Sequence, residues 1–123
     1  MKANELRIGN WITYDDKPFQ VGLWFFTELD AKVSYINDFE PIPLTEEWIL
    51  KFGFAKIQNI YQRHNQILLE PILNGLNRSY RVKFWTTSIA RAEPIYQSQL
   101  TIQYVHQLQN LYFALTGEEL TIK

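Results

Sequence analysis

The chain has 123 residues, 46% of them hydrophobic and 15% aromatic, including four Trp, seven Tyr and eight Phe. That is enough to build one compact core, and it excludes a disordered chain. The chain has no Cys, which excludes a disulfide framework, a thiolate zinc site and a Cys nucleophile, and its net charge of −1 selects no class of partner.

The first residues, Met1 to Leu6, lack the apolar core of a secretory signal, and no run approaches the ~18 apolar residues of a membrane span. A cytoplasmic protein without a membrane partner is therefore expected. Leu6 to Tyr14 reads as a strand with Leu6, Ile8, Ile12 and Tyr14 on one face. Asp15-Asp16-Lys17-Pro18 is a turn, and the chain returns through Phe19 to Phe26, apolar on both faces and bulged or bent at Gly22. A third strand is expected from Ala31 to Ile36, followed by an extended edge segment through Pro41 and Pro43.

Thr45 is a helix N-cap, Glu46 and Glu47 suit the dipole of the first turn, and Gly53 ends the helix. Its buried face is Trp48, Ile49 and Phe52. A helix of about two turns needs packing to persist, and its expected task is to plug the open end of the preceding strands. Two further hairpins follow. Ile60 to Arg63 pairs with Gln66 to Glu70 across His64-Asn65, and Ile72-Leu73 pairs with Ser79 to Thr86 across Asn74 to Asn77. Thr87 to Gln99 carries no readable pattern, and Leu100 to Ile102 is a last short strand.

The clearest helix runs from Tyr104 to Thr116 and is closed by Gly117. Tyr104, Leu108, Leu111 and Leu115 form one narrow stripe, with Val105 and Tyr112 beside it, and this stripe is the expected core face. Leu120 and Ile122 then fold back or add an edge strand. Together the elements predict an α+β fold, mostly antiparallel, with an N-terminal bent sheet or small barrel, a short mid-chain helix and a C-terminal packing helix. One domain over 1–123 is expected, with 1–54 and 55–123 as its sub-units.

The stretch Pro41-Ile42-Pro43-Leu44-Thr45-Glu46-Glu47-Trp48 with Lys51-Phe52-Gly53-Phe54, the stretch Tyr104 to Leu120, and the opening Leu6-Arg7-Ile8-Gly9-Asn10 carry a resemblance. The chain resembles a family of small proteins of Bacteroides-type gut bacteria, often found in prophage-like or mobile regions. The resemblance covers roughly half of the chain and leaves out residues 55–103. It implies an intracellular, phage-associated protein and brings no activity, cofactor or catalytic residue with it.

Catalytic chemistry finds little support. The five glycines are scattered, so no phosphate loop forms, and the two histidines, His64 and His106, are far apart with no thiol between them. Turn chemistry explains Asp15-Asp16, the helix dipole explains Glu46-Glu47, and Glu118-Glu119 follows a helix end. No nucleophile, base and orienting group come together, so no catalytic residue, metal or cofactor is predicted.

Two surfaces remain as candidates. Residues 1–54 carry nine acids and five bases, whereas within 55–92 Lys56, Arg63, Arg78, Arg81, Lys83 and Arg91 face only Glu70. On the strand from Ser79 to Trp85, Tyr80, Val82 and Phe84 alternate onto a core face, leaving Arg81, Lys83 and Trp85 opposite, with Arg78 just before. Cations interleaved with a ring suit a single-stranded nucleic acid, the cations holding phosphate and the ring stacking on a base. The plainer alternative is a solvated sheet face whose Trp is covered by a loop.

The second candidate is the face of the C-terminal helix opposite the stripe: His106, Gln109, Asn110 and Phe113. No residue from 104 to 116 is charged, and an aromatic among amides suits a protein interface. The plainer alternative is a central helix with a second layer over Phe113, and His106 alone is expected to be a hydrogen-bonding partner. The favoured expectation is a protein-interaction or assembly module, self-associating and without catalysis. A nucleic-acid-binding module using Arg78, Arg81, Lys83 and Trp85 is the alternative. What separates the two is whether those side chains share one open surface with Lys56, Arg63 and Arg91.

Overall fold

A computed structural model describes residues 5–22, 39–63, 67–74, 77–84 and 96–122. In order, they form β1 (Trp11–Tyr14), β2 (Lys17–Gln20), β3 (Phe39–Pro41), α1 (Glu46–Lys51), β4 (Ala55–Ile57), β5 (Ile60–Arg63), β6 (Ile67–Asn74), β7 (Asn77–Phe84), β8 (Tyr96–Ile102) and α2 (Val105–Thr116). The fold is α+β and antiparallel throughout, as expected. Its strands form two open sheets, ordered β2-β1-β3 and β4-β5-β6-β7-β8, and no closed barrel forms among the described residues. The expected strand from Ala31 to Ile36 lies outside the described residues.

The chain separates into two compact units, and the division does not fall between residues 54 and 55. One unit draws on positions 1–43 and 104–120, the other on 44–103 and 121–123. The short helix therefore belongs with the second sheet, and the long helix with the first.

In the first unit, β1 begins only at Trp11, because residues 7–10 make a turn. Gly9 sits at φ +96°, the Arg7 N–H donates to Asn10 Oδ1 at 2.6 Å, and the Asn10 N–H returns to Arg7 O at 3.1 Å. The turn breaks the expected alternation between Leu6 and Ile8, so Leu6 is buried and Ile8 exposed; Ile12 is buried, and Tyr14 is exposed at the hairpin end of β1. Asp15 and Asp16 both take positive φ and close a two-residue hairpin that pairs Tyr14 with Lys17. This leaves Pro18 within β2 at the sheet edge, where a missing N–H costs no ladder bond. Leu6, Ile12, Val21 and Phe39 form the local core, with Phe19 packed against it.

α2 starts at Tyr104, whose N–H donates to Gln107 Oε1 at 3.1 Å. The helix ends at Gly117, whose φ of +74° only glycine adopts without strain. Its buried residues are Val105, His106, Leu108, Gln109 and Tyr112. The helix is thus turned by roughly a quarter-turn from the expected orientation. Leu115, expected in the core, is 48% exposed, and Leu111 is only partly buried.

In the second unit, α1 has the expected cap, the Trp48 N–H donating to Thr45 Oγ1 at 3.4 Å. Ile49 and Phe52 are fully buried, whereas Trp48 stays half-buried under Lys51. Arg63 Nη1 donates to Phe52 O at 2.6 Å and Lys56 pairs with Glu46 at 2.9 Å, so both cations hold α1 to the β4–β5 hairpin.

β6 runs unbroken through Pro71, where two separate strands are expected from the sequence. β5 pairs only with Ile67–Leu69, so beyond Leu69 one side of β6 has no strand neighbour among the described residues, and Pro71 removes no ladder bond there. A hairpin forms at the expected place but is tighter, because Asn74 and Asn77, expected in the turn, pair with each other as the last residue of β6 and the first of β7. Among the described residues no helix is long and apolar enough to cross a membrane.

Candidate functional site

The strand register decides which cations can act together. Lys56 is paired with Tyr61, Tyr61 with Leu69, and Leu69 with Val82, which places Lys56 on the buried side of the second sheet. Arg63 pairs with Ile67 on that same side. Arg81 faces Glu70 and Lys83 faces Leu68, both on the opposite side. Tyr80 and Val82 are buried as the alternation requires. The described cations therefore do not share one surface.

The candidate strand face is also partly neutralised. Lys83 makes a close ion pair with Glu70, and its side chain is only 14% exposed. That hydrogen bond from Lys83 holds the Glu70 carboxyl below its ordinary range, against a smaller upward push from burial, and Arg81 pulls the same way as Lys83. Arg78 pairs with Leu73 in the ladder, but its side chain lies outside the described residues, as do Trp85 and Arg91.

A cavity of about 570 Å³ opens where the β4–β5 hairpin parts from β6, lined by Lys56, Asn59, Ile60, Tyr61, Glu70 and Pro71. Its two charged residues already bond elsewhere in the same unit, Lys56 to Glu46 and Glu70 to Lys83.

The helix face expected to be open is the one that binds the N-terminal turn. Gln109 is fully buried; its Nε2 donates to Gly9 O at 2.9 Å and its Oε1 accepts the Trp11 N–H at 2.8 Å. One side-chain amide thus pairs with the backbone as a neighbouring strand would. Asn110 Oδ1 accepts from Arg7 Nε at 2.8 Å and from Asn10 Nδ2 at 2.9 Å, while its Nδ2 donates to Glu5 O at 2.7 Å.

Arg7 completes this network. Nη1 reaches Glu119 Oε1 at 2.5 Å, Nη2 donates to Gln109 O at 3.2 Å, and Cζ lies 4.4 Å from the centre of the Phe113 ring. Nη2 also donates to Glu119 Oε2 at 3.4 Å, so four of the five guanidinium N–H groups have an acceptor on α2 or just past it.

Of the four residues expected on an open face, His106 and Gln109 are buried and Asn110 is hydrogen-bonded within the unit. Only Phe113 remains 40% exposed. His106, expected to be a hydrogen-bonding partner, has none for either ring nitrogen among the described residues. Arg7, Asn10 and Glu119 are absent from the sequence-based candidates. Two adjacent amides on an uncharged helix were the available signal, but their partners lie about a hundred positions away.

The last turn of α2 exposes three residues in succession, Phe113, Ala114 and Leu115. Among the described residues no three His, Asp or Glu side chains gather as metal ligands. No family model, curated protein or solved structure matches the chain.

Proposed function

We propose that the protein is a small assembly module that associates with a second copy of itself through the last turn of α2, and acts by contact rather than by catalysis. The observation that carries this reading is the exposure of Phe113 at 40% and Leu115 at 48% on consecutive sides of Ala114. Arg7 lies against the Phe113 ring, and aromatic residues and Arg are the types enriched at interface centres. A second copy fits because α2 itself carries no charged side chain and the Arg7 charge beside Phe113 is paired with Glu119, which limits like-charge repulsion across a two-fold axis. The cytoplasmic, phage-associated setting belongs to the same proposal and rests only on the motifs at residues 6–10, 41–54 and 104–120. Binding of single strands draws less support, because Arg81 and Lys83 share their face with Glu70.

Sedimentation velocity over a concentration series tests the proposal. The wild type is expected to associate in the micromolar range, and Phe113→Ser and Leu115→Ser to weaken association tenfold or more with the circular dichroism unchanged. A wild type that stays monomeric at several hundred micromolar, or variants that associate as it does, would overturn the reading. Binding of single-stranded DNA at low salt, lost in Arg81→Glu, would favour the nucleic-acid module instead.

A further inference from the structure

His106 stands in the first turn of α2, 2% exposed, with no hydrogen-bond partner for Nδ1 or Nε2 among the described residues. Its ring stacks on that of Tyr104, with centroids 6.0 Å apart and planes 14° from parallel. A neutral imidazole tolerates such a place. An imidazolium would bring a charge and two N–H donors to a place where neither nitrogen has a partner among the described residues. One turn further along the same helix, Gln109 and Asn110 make the hydrogen bonds that hold residues 5–11.

We propose that protonation of His106 releases the N-terminal turn: the neutral ring lets α2 stay packed and hold residues 5–11, and the charged ring forces the helix to open and let them go. Water must reach the imidazolium, so the first turns of α2 have to move. Any such movement pulls the Gln109 amide away from Gly9 O and the Trp11 N–H.

The surrounding charges agree with this direction. Burial pushes the His106 pKa below 6.5; the Glu5 carboxylate pulls it upward by less, and the amino-terminal ammonium adds to the lowering. α2 contributes no charged side chain, and the positive end of its dipole lies next to the ring. Arg7, the other charged side chain of the turn, is bonded to Asn110, Glu119 and Gln109 O. The sign follows from linkage. The open state titrates near 6.5 and the closed state lower, so the open state binds the proton more tightly. Opening therefore grows as pH falls below 6.5, by up to about tenfold per pH unit, until the closed-state pKa is reached.

The test is hydrogen exchange at the Trp11 amide, whose acceptor is Gln109, measured between pH 7.5 and 5 and corrected for the intrinsic rate. The protection factor of the wild type is expected to fall by up to about tenfold per unit below pH 6.5, and the fall to vanish in His106→Leu. In parallel, the imidazole of His106 in the wild type is expected to titrate below 6.5 by NMR, the variant identifying its signal against that of His64. A protection factor independent of pH, an equal slope in His106→Leu, or a titration at or above 6.5 would each overturn the proposal. Should His106→Leu not fold, His64→Gln identifies the remaining imidazole signal instead, and the protection factors and the titration of His106 decide the proposal without it.

Discussion

Arg7 and Phe113 are 106 positions apart, yet the guanidinium carbon of one lies 4.4 Å from the ring centre of the other. Four hydrogen bonds fix that placement, one each to Asn110 and Gln109 O and two to Glu119. The guanidinium is a planar fork that an ammonium cannot copy, so Arg7→Lys should fail to restore what Arg7→Ala loses. Because the Glu119 pair is partly exposed and adds little, the loss should be about 1–2 kcal/mol in urea denaturation. Equal stability of Arg7→Lys and wild type would show that charge alone matters here.

Gln109 is the more costly residue to change. Gln109→Leu keeps the volume but strands the Trp11 N–H and the second acceptor site at Gly9 O. An orphaned buried donor costs roughly 1–3 kcal/mol, so a loss of about 2–3 kcal/mol is expected by thermal or urea unfolding. A loss within experimental error would mean that water readily replaces the amide.

The turned helix separates two leucines that the apolar stripe treats alike. Leu108 is fully buried, and Leu108→Ala should cost about 2–5 kcal/mol through lost burial and a residual cavity. Leu115→Ala, at a 48% exposed site, should stay within about 0.5 kcal/mol. Leu111, partly buried, should fall between them. Reversed ranks in a denaturation series would restore the stripe as the core face.

Glu70 and Lys83 should shape the acid limb of stability. The pKa of Glu70 is lowered by its bond to Lys83, so its contribution is fully present above the ordinary value of 4.5 and is lost as pH falls through the lowered folded value. Glu70→Gln should therefore be less stable than wild type at neutral pH and lose less on acidification below 4.5. Unfolding midpoints at pH 7, 4 and 3 read both effects. Parallel pH profiles for the two proteins would deny the pair any role.

Short-range chemistry was legible in the chain by itself. The Thr45 cap, the acidic first turn of α1, the glycine stops at Gly53 and Gly117, and the turn between Asn74 and Asn77 each depend on a few neighbouring residues. The alternation that buries Tyr80 and Val82 depends only on the pleat. From these the α+β class follows. The tertiary structure alone decided that Lys56 and Arg63 lie on one side of their sheet and Arg81 and Lys83 on the other, because register couples strands that local preference leaves independent. It also decided the rotation of α2. An apolar stripe ranks Gln109 as a surface residue, and its burial is favourable only because Gly9 and Trp11 offer it a backbone acceptor and donor from the far end of the chain.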